Sequence, residues 1–479
     1  MRSLCFGAII ALLSTSAFAA TRTWTGTTSG AWSVASNWGG VAPNAGDDLV
    51  FPASGANQVT TNDFPLGFLF HSITISGGSY TLGGNGIELS TGGVNVTGGT
   101  TETITLPIML IGSQTWTFTT GDTLLGPIDL NGAALTITGG STGGITIAGP
   151  VSGSGSIAVT QDTLVDFTGV NTTPAPIATS GGFGAFLGFE NNSVYPGSIT
   201  AAGSGAVAIG KGASVGDVTI NGPFGAFIGG ISSAGPPSGT ANTKNLTFRN
   251  ATLYAEEITS ATDFSQVSVT GTVDLTGAIL SIQETSPVPI GTQFTIIRND
   301  GTDPIVGTFI GSPQGGTVTM PVSGGSQNFT IDYKGGDGND VVITAQGTIT
   351  TDTTTTVNTT APPQVGQPVT MTATVAPTTG TAIPTGTVSF LAVTFSGPNP
   401  VATVLGTATL DSSGVATLTA TLPATTSLIA AFYSGGGVFA GSEGELPVVL
   451  AGSIPTLDPR VLVLLAIALA AIGTFALKR

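Results

Sequence analysis

Residues 71–97 run HSITISGGSYTLGGNGIELSTGGVNVT. Four apolar pairs recur in them: Ile73 and Ile75, Tyr80 and Leu82, Ile87 and Leu89, Val94 and Val96. Each pair is spaced i, i+2, which puts both side chains on one face of an extended strand. Gly77-Gly78, Gly83-Gly84 and Gly98-Gly99 punctuate the pairs, and glycine is the residue that tight corners with positive φ favour. The pattern continues through Ile104 and Leu106, Trp116 and Phe118, Ile128 and Leu130, Leu135 and Ile137, Ile145 and Ile147, and Ile157 and Val159. No helical period interrupts it. Many short strands of even spacing mean a sandwich, a barrel or a solenoid. Residues 65–345 are long for a sandwich, and their strands are very short. The expected fold is all-β, with a right-handed parallel β-helix over 65–345.

Composition supports that class and excludes others. The 479 residues include 72 Gly and 28 Pro, with 40% hydrophobic and only 8% charged side chains. A disordered polyelectrolyte has the reverse balance. The net charge is −16, and between residues 20 and 457 there are 25 acidic side chains against six basic ones. Such a surface repels phosphate backbones, so no nucleic-acid partner is expected. Cys5 is the only cysteine, which leaves no disulfide and no thiolate site in the body of the chain.

The two ends read as targeting segments. In Met1–Ala19, Arg2 precedes an apolar stretch, and Ala17-Phe18-Ala19 places small residues at a cleavage site, the pattern of a secretory signal peptide. At the other end, Ser453-Ile454-Pro455-Thr456-Leu457 precedes an uncharged run at 461–477 and a terminal Lys478-Arg479. That run is at the short limit for a transmembrane helix, and Arg460 and Lys478 can snorkel to the interfaces. The basic tail predicts a cytoplasmic C-terminus. This ending, residues 454–479, resembles the IPTL-CTERM sorting signal of Gram-negative bacteria, matched at Ile454, Pro455, Thr456 and Leu457. The resemblance implies an exosortase-type sorting protease as partner. It also implies membrane anchorage before processing and a place at the cell surface, in the outer envelope or outside the cell afterwards.

Residues 20–64 hold three of the four tryptophans, Trp24, Trp32 and Trp38. Amphipathic indoles suit either a carbohydrate-stacking platform or a hydrophobic plug. An open coil stack must be covered at its end, which favours the plug as an N-terminal cap. The run from Trp24 to Gly46-Asp47-Asp48-Leu49-Val50-Phe51, with Phe70-His71-Ser72-Ile73-Thr74-Ile75-Ser76-Gly77-Gly78, resembles the autotransporter-associated β-strand family. Tyr333-Lys334-Gly335-Gly336-Asp337-Gly338-Asn339-Asp340-Val341-Val342-Ile343-Thr344 is similar to the last rung of such passengers.

Residues 346–353 form a polar, Thr-rich linker. Residues 354–450 then alternate like a sandwich of roughly 100 residues, with strands expected at 369–375, 386–391, 402–405, 408–410, 415–422 and 428–433. The text Gly366-Gln367-Pro368-Val369-Thr370, Pro384-Thr385-Gly386-Thr387-Val388-Ser389-Phe390 and Tyr433-Ser434-Gly435 resembles bacterial Ig-like repeats. That resemblance implies a stalk.

Catalytic signals are sparse. His71 is the only histidine, the one Asp-Asp pair is Asp47-Asp48, and Glu256-Glu257 fall on opposite faces of a strand. No enzyme is expected, and no catalytic residue is named. Gly335 to Ile343 fits one copy of a Gly-rich calcium repeat. Asp337 and Asp340 are its candidate ligands, although such cages use successive copies. No other cofactor is expected. Three functional readings stand: an adhesin-like surface protein carried on an Ig-like stalk; a binder of extracellular polysaccharide or of a host or matrix surface; and, third, a β-helix carbohydrate-active enzyme.

Overall fold

The computed structural model describes residues 19–448, apart from 99–100, 120–121, 141–143, 181–184, 191, 204, 223–225, 232–238, 251, 285–286, 323–324, 350 and 397–398. The signal segment up to Phe18, the sorting motif Ile454–Leu457 and the apolar run at 461–477 lie outside the described residues. Among those described, one 3-10 turn at Ala35–Trp38 interrupts an all-β chain. No helix among them is long and apolar enough to cross a membrane.

Up to Asn299 the strands form a solenoid. Each full coil gives one strand to each of three walls. The first wall runs from Thr21–Thr23 to Val273–Asp274, and the second from Val59–Asn62 to Thr252–Ser260 and Ala278–Glu284. The third begins with the pairing of Phe68, Ile87, Ile108, Ile128 and Val151, where its strands are continuous with the sheet of the first wall. It continues from Val194–Tyr195 to Gln293–Asn299. Wall strands pair in parallel and in register, as Leu135 with Ile157 and Ile157 with Ile177. Side-chain bonds between neighbouring coils join residues 20 to 23 positions apart. All ten apolar pairs read from the sequence are buried. Each column therefore stacks Val, Ile, Leu and aromatic side chains along the axis, burying apolar surface worth about 25 cal/mol per Å².

The corners are set by close approach. A Cβ on Gly139 would run into the carbonyl of Phe118 on the preceding coil. Gly155, at φ +141°, meets the Ala133 carbonyl in the same way. Hydroxyls add bonds between coils: Thr119 and Thr160 donate to the carbonyls of Val96 and Ile137, each at 3.4 Å.

Two features differ from the sequence reading, and one coil is longer than its neighbours. The stack starts before residue 65: Asp48–Phe51 and Val59–Asn62 are wall strands paired to Ser72–Ile75 and Thr81–Gly84. The Pro-rich stretch around 223–237 does not divide the solenoid, because Val218–Asn221 pairs directly with Leu246–Arg249. Its coil is merely longer, with bonded partners 28 to 30 residues apart. Finally, Tyr333–Thr344 is no parallel rung. Thr317–Val322, Gly325–Gly335 and Asp340–Ile349 form an antiparallel meander, and Asp340–Ile349 pairs antiparallel with Gln293–Asn299. Parallel and antiparallel strands share the two-residue period, so side-chain alternation could not separate them.

The second unit is a sandwich. Thr353–Thr359, Pro368–Pro377 and Val415–Thr421 form one sheet, and Asn399–Thr409, Thr387–Ser396, Leu428–Tyr433 and Ser442–Pro447 the other. The strands expected at 402–405 and 408–410 are one strand. Its register shifts where Gly406 faces Phe390 and Val404 faces Leu391. The sandwich touches the meander, the second-wall strand Ala278–Glu284 and the loop at Ile310. Thr319 donates to the Ser434 carbonyl at 3.3 Å, Asn328 donates to Gly437, and Leu391, Ala402 and Phe432 pack with Ile279 and Ile310.

Candidate functional site

The tryptophan cluster is core. Trp24 and Trp32 are fully buried and Trp38 is 5% exposed. Trp24 and Trp38 meet edge to face at 4.9 Å, and all three pack on Phe51. Trp24 Nε1 donates to the Asn57 carbonyl and Trp38 Nε1 to the Trp32 carbonyl, both at 2.7 Å. Asn37 holds the loop, accepting from the amides of Thr28 and Ser29 and donating to the Ala31 carbonyl. A stacking platform must offer a ring face to a sugar. These indoles offer none, so of the two readings weighed for Trp24, Trp32 and Trp38 the carbohydrate-stacking platform fails: they fill the N-terminal end of the stack.

His71 sits on the outer side of the first wall. Its Nδ1 lies 2.7 Å from Asp48 Oδ1, and Ser72 Oγ donates to the same oxygen. The carboxylate stands between the two. A nucleophilic serine instead needs the imidazole as its immediate base. Arg22 bonds Asp47 at 2.7 Å, so the Asp47-Asp48 pair is divided between two structural contacts.

Asp337 and Asp340 lie at the turn of the antiparallel hairpin. Asp337 is exposed, whereas Asp340 is buried and accepts a 2.9 Å bond from the Asn299 amide. The Gly-rich calcium cage requires stacked parallel copies. A hairpin turn cannot supply them, so that particular pairing of ligands is not formed.

One depression on the outer side of the second wall was not read from the sequence. Asp166, Phe186, Gly188, Phe189, Glu190, Ala208 and Gly210 line it, enclosing about 110 Å³. Strand register explains it. Asp166 pairs with Gly188 and Gly188 with Ala208, so one outward column runs from carboxylate to small residue to small residue. Small side chains lower the wall there, and the Phe186 ring and the two carboxylates stand above it. Burial, and then the charge of Glu190, push the Asp166 carboxyl up to about 6. The volume is below the ~300 Å³ of ordinary small-ligand pockets. These residues come from three successive coils, so only writing the coils beneath one another would have assembled them.

No group of three or more His, Cys, Asp or Glu able to hold a metal occurs among the described residues. The sandwich has an identifiable relative. Residues 354–450 match the bacterial Ig-like domain (group 3). Its strand order fits: the second strand pairs with the fifth, and the third with the sixth. No curated protein matches the chain, and no solved structure matches it.

Asp166 sets a pH dependence whose sign is fixed. In the unfolded chain its carboxyl loses its proton near 3.8, and in the fold only near 6. The folded state therefore holds more protons between those values, and stability falls as pH rises through 6. Burial pushes Glu102 up to about 7, acting in the same direction at higher pH. Asp47 shifts the other way: its burial is outweighed by bonds from Arg22, Asn44 and Ala20. Its contribution is lost only at pH below about 4. Urea unfolding at pH 4.5 and pH 8 is expected to show a loss toward pH 8. Asp166→Asn should reduce that loss by about 1–2 kcal/mol after solvent screening.

Proposed function

We propose that this chain is an exported bacterial surface protein in which the solenoid is displayed by the Ig-like domain, with an adhesin-like and non-catalytic role. The observation that carries the reading is the pairing of a long coil stack with a bacterial Ig-like domain (group 3) packed at its closing end. The signal-like start and IPTL-like ending support export and sorting, with an exosortase-type protease as partner. The resemblance of the coils to autotransporter-associated strands agrees with surface display. Two tags on one chain test it. The first goes into the exposed loop at Gly380 and the second after Arg479. The expected result is the Gly380 tag at the surface or in the medium while the terminal tag stays in the inner membrane. Both tags together in the inner membrane would refute sorting.

The Asp166 depression favours a second reading, contact with polysaccharide. Carboxylates accept hydrogen bonds from sugar hydroxyls, and the net charge of −16 disfavours anionic polymers. A neutral polysaccharide is the expected ligand. Affinity electrophoresis through neutral polysaccharide gels should show retardation, weakened about 2- to 10-fold by Phe186→Ala. Unretarded migration of the unaltered protein would exclude this reading.

A further inference from the structure

The junction between the last coil and the hairpin is crowded with oxygen. Asn299 ends one strand, Asp303 follows in the loop, Asn339 ends the hairpin turn and Asp340 opens the strand that pairs back. The side-chain amides of Asn299 and Asn339 both donate to the Asp303 carbonyl, at 2.9 and 3.0 Å, and that of Asn339 also reaches the Asp300 carbonyl at 3.1 Å. A carbonyl can accept only from the nitrogen end of an amide, so the orientation of both groups is fixed. Their oxygens face elsewhere. Asn299 Oδ1, Asn339 Oδ1 and Asp303 Oδ2 are all buried, and none has a hydrogen-bond partner among the described residues. Asn299 is 1% and Asn339 4% exposed. Buried acceptors without donors are rare, and a cluster of them calls for an ion or a water.

The charge around the junction says which. Asp337 and Arg298 are the charges acting on Asp340, and Asp300 and Asp303 bring their backbone carbonyls to the Asn339 side chain. All the orphaned groups are hard oxygens from amides and a carboxylate, next to backbone carbonyls. That is the donor set of calcium, which accepts irregular cages of six to eight oxygens; magnesium demands a stricter octahedron. We infer that Asn299, Asp303, Asn339 and Asp340 form a binding site for one calcium ion. The ion joins the end of the parallel stack to the antiparallel meander that closes it. The site differs from the Gly-rich repeat: it takes two ligands 36 to 41 residues upstream and leaves Asp337 outside.

The test uses the purified full chain after chelation, titrated with calcium chloride by calorimetry and followed by thermal unfolding. The expected result is one calcium per chain and a higher melting temperature. Asp303→Ala, whose buried Oδ2 has no hydrogen-bond partner among the described residues, should weaken binding about tenfold or more and melt like the parent in chelator. Should Asp303→Ala fail to fold, Asp340→Asn, which keeps an acceptor for the Asn299 amide, should weaken binding likewise. Asp337→Ala should bind calcium as the parent does. No binding at about 1 mM calcium, equal binding by Asp303→Ala, or loss with Asp337→Ala would overturn the site.

Discussion

The backbone N–H and C=O groups of each coil point along the solenoid axis, and only another coil can satisfy them. This constraint orders the rest of the structure. It requires strands to stay in register over three walls, because a one-residue slip would turn each apolar column outward. It makes glycine necessary where Gly139 and Gly155 pass the carbonyls of the coil below. It also creates two ends that have nothing to pair with.

The ends are closed by different means. At the start, the Thr21–Thr23 strand finishes the first wall, and the indoles of Trp24, Trp32 and Trp38 cover the core behind it. At the finish the chain reverses, and an antiparallel meander pairs with the last third-wall strand. The Ig-like domain then packs on that meander. The Asn299–Asp340 junction sits where parallel pairing gives way to antiparallel. That is where backbone direction changes and oxygens are least easily matched with donors.

The coil pairs were legible because the side-chain period of a strand is two and glycine marks corners. The sandwich was legible for the same reason, through Val369–Val375 and Leu428–Tyr433. Its outer strands Thr353–Thr359 and Ser442–Pro447 are Thr- and Glu-rich edges, and with so few apolar residues their alternation did not show in the sequence. The start of the stack was hidden because Trp24 to Asp47 is a folded loop with no alternating pairs. The Asp166 depression and the Asn299 junction depend on residues brought together across coils; one bond, from Asn299 to Asp340, spans 41 positions. Composition and local pattern carry no record of such distances. For Trp24, Trp32 and Trp38, residue type alone could not separate a sugar platform from a plug, and burial decided it.

Coil register is the central claim, and disulfide trapping measures it directly. In the structure Thr136 and Ala158 are outward-facing partners on adjacent first-wall strands, at a spacing of about 4.8 Å that a disulfide can bridge. In a Cys5→Ser background, cysteines at 136 and 158 should cross-link within one chain under mild oxidation without loss of melting temperature. Cysteines at 136 and 160 should remain reduced. Cross-linking of the second pair in preference to the first would contradict the three-walled stack.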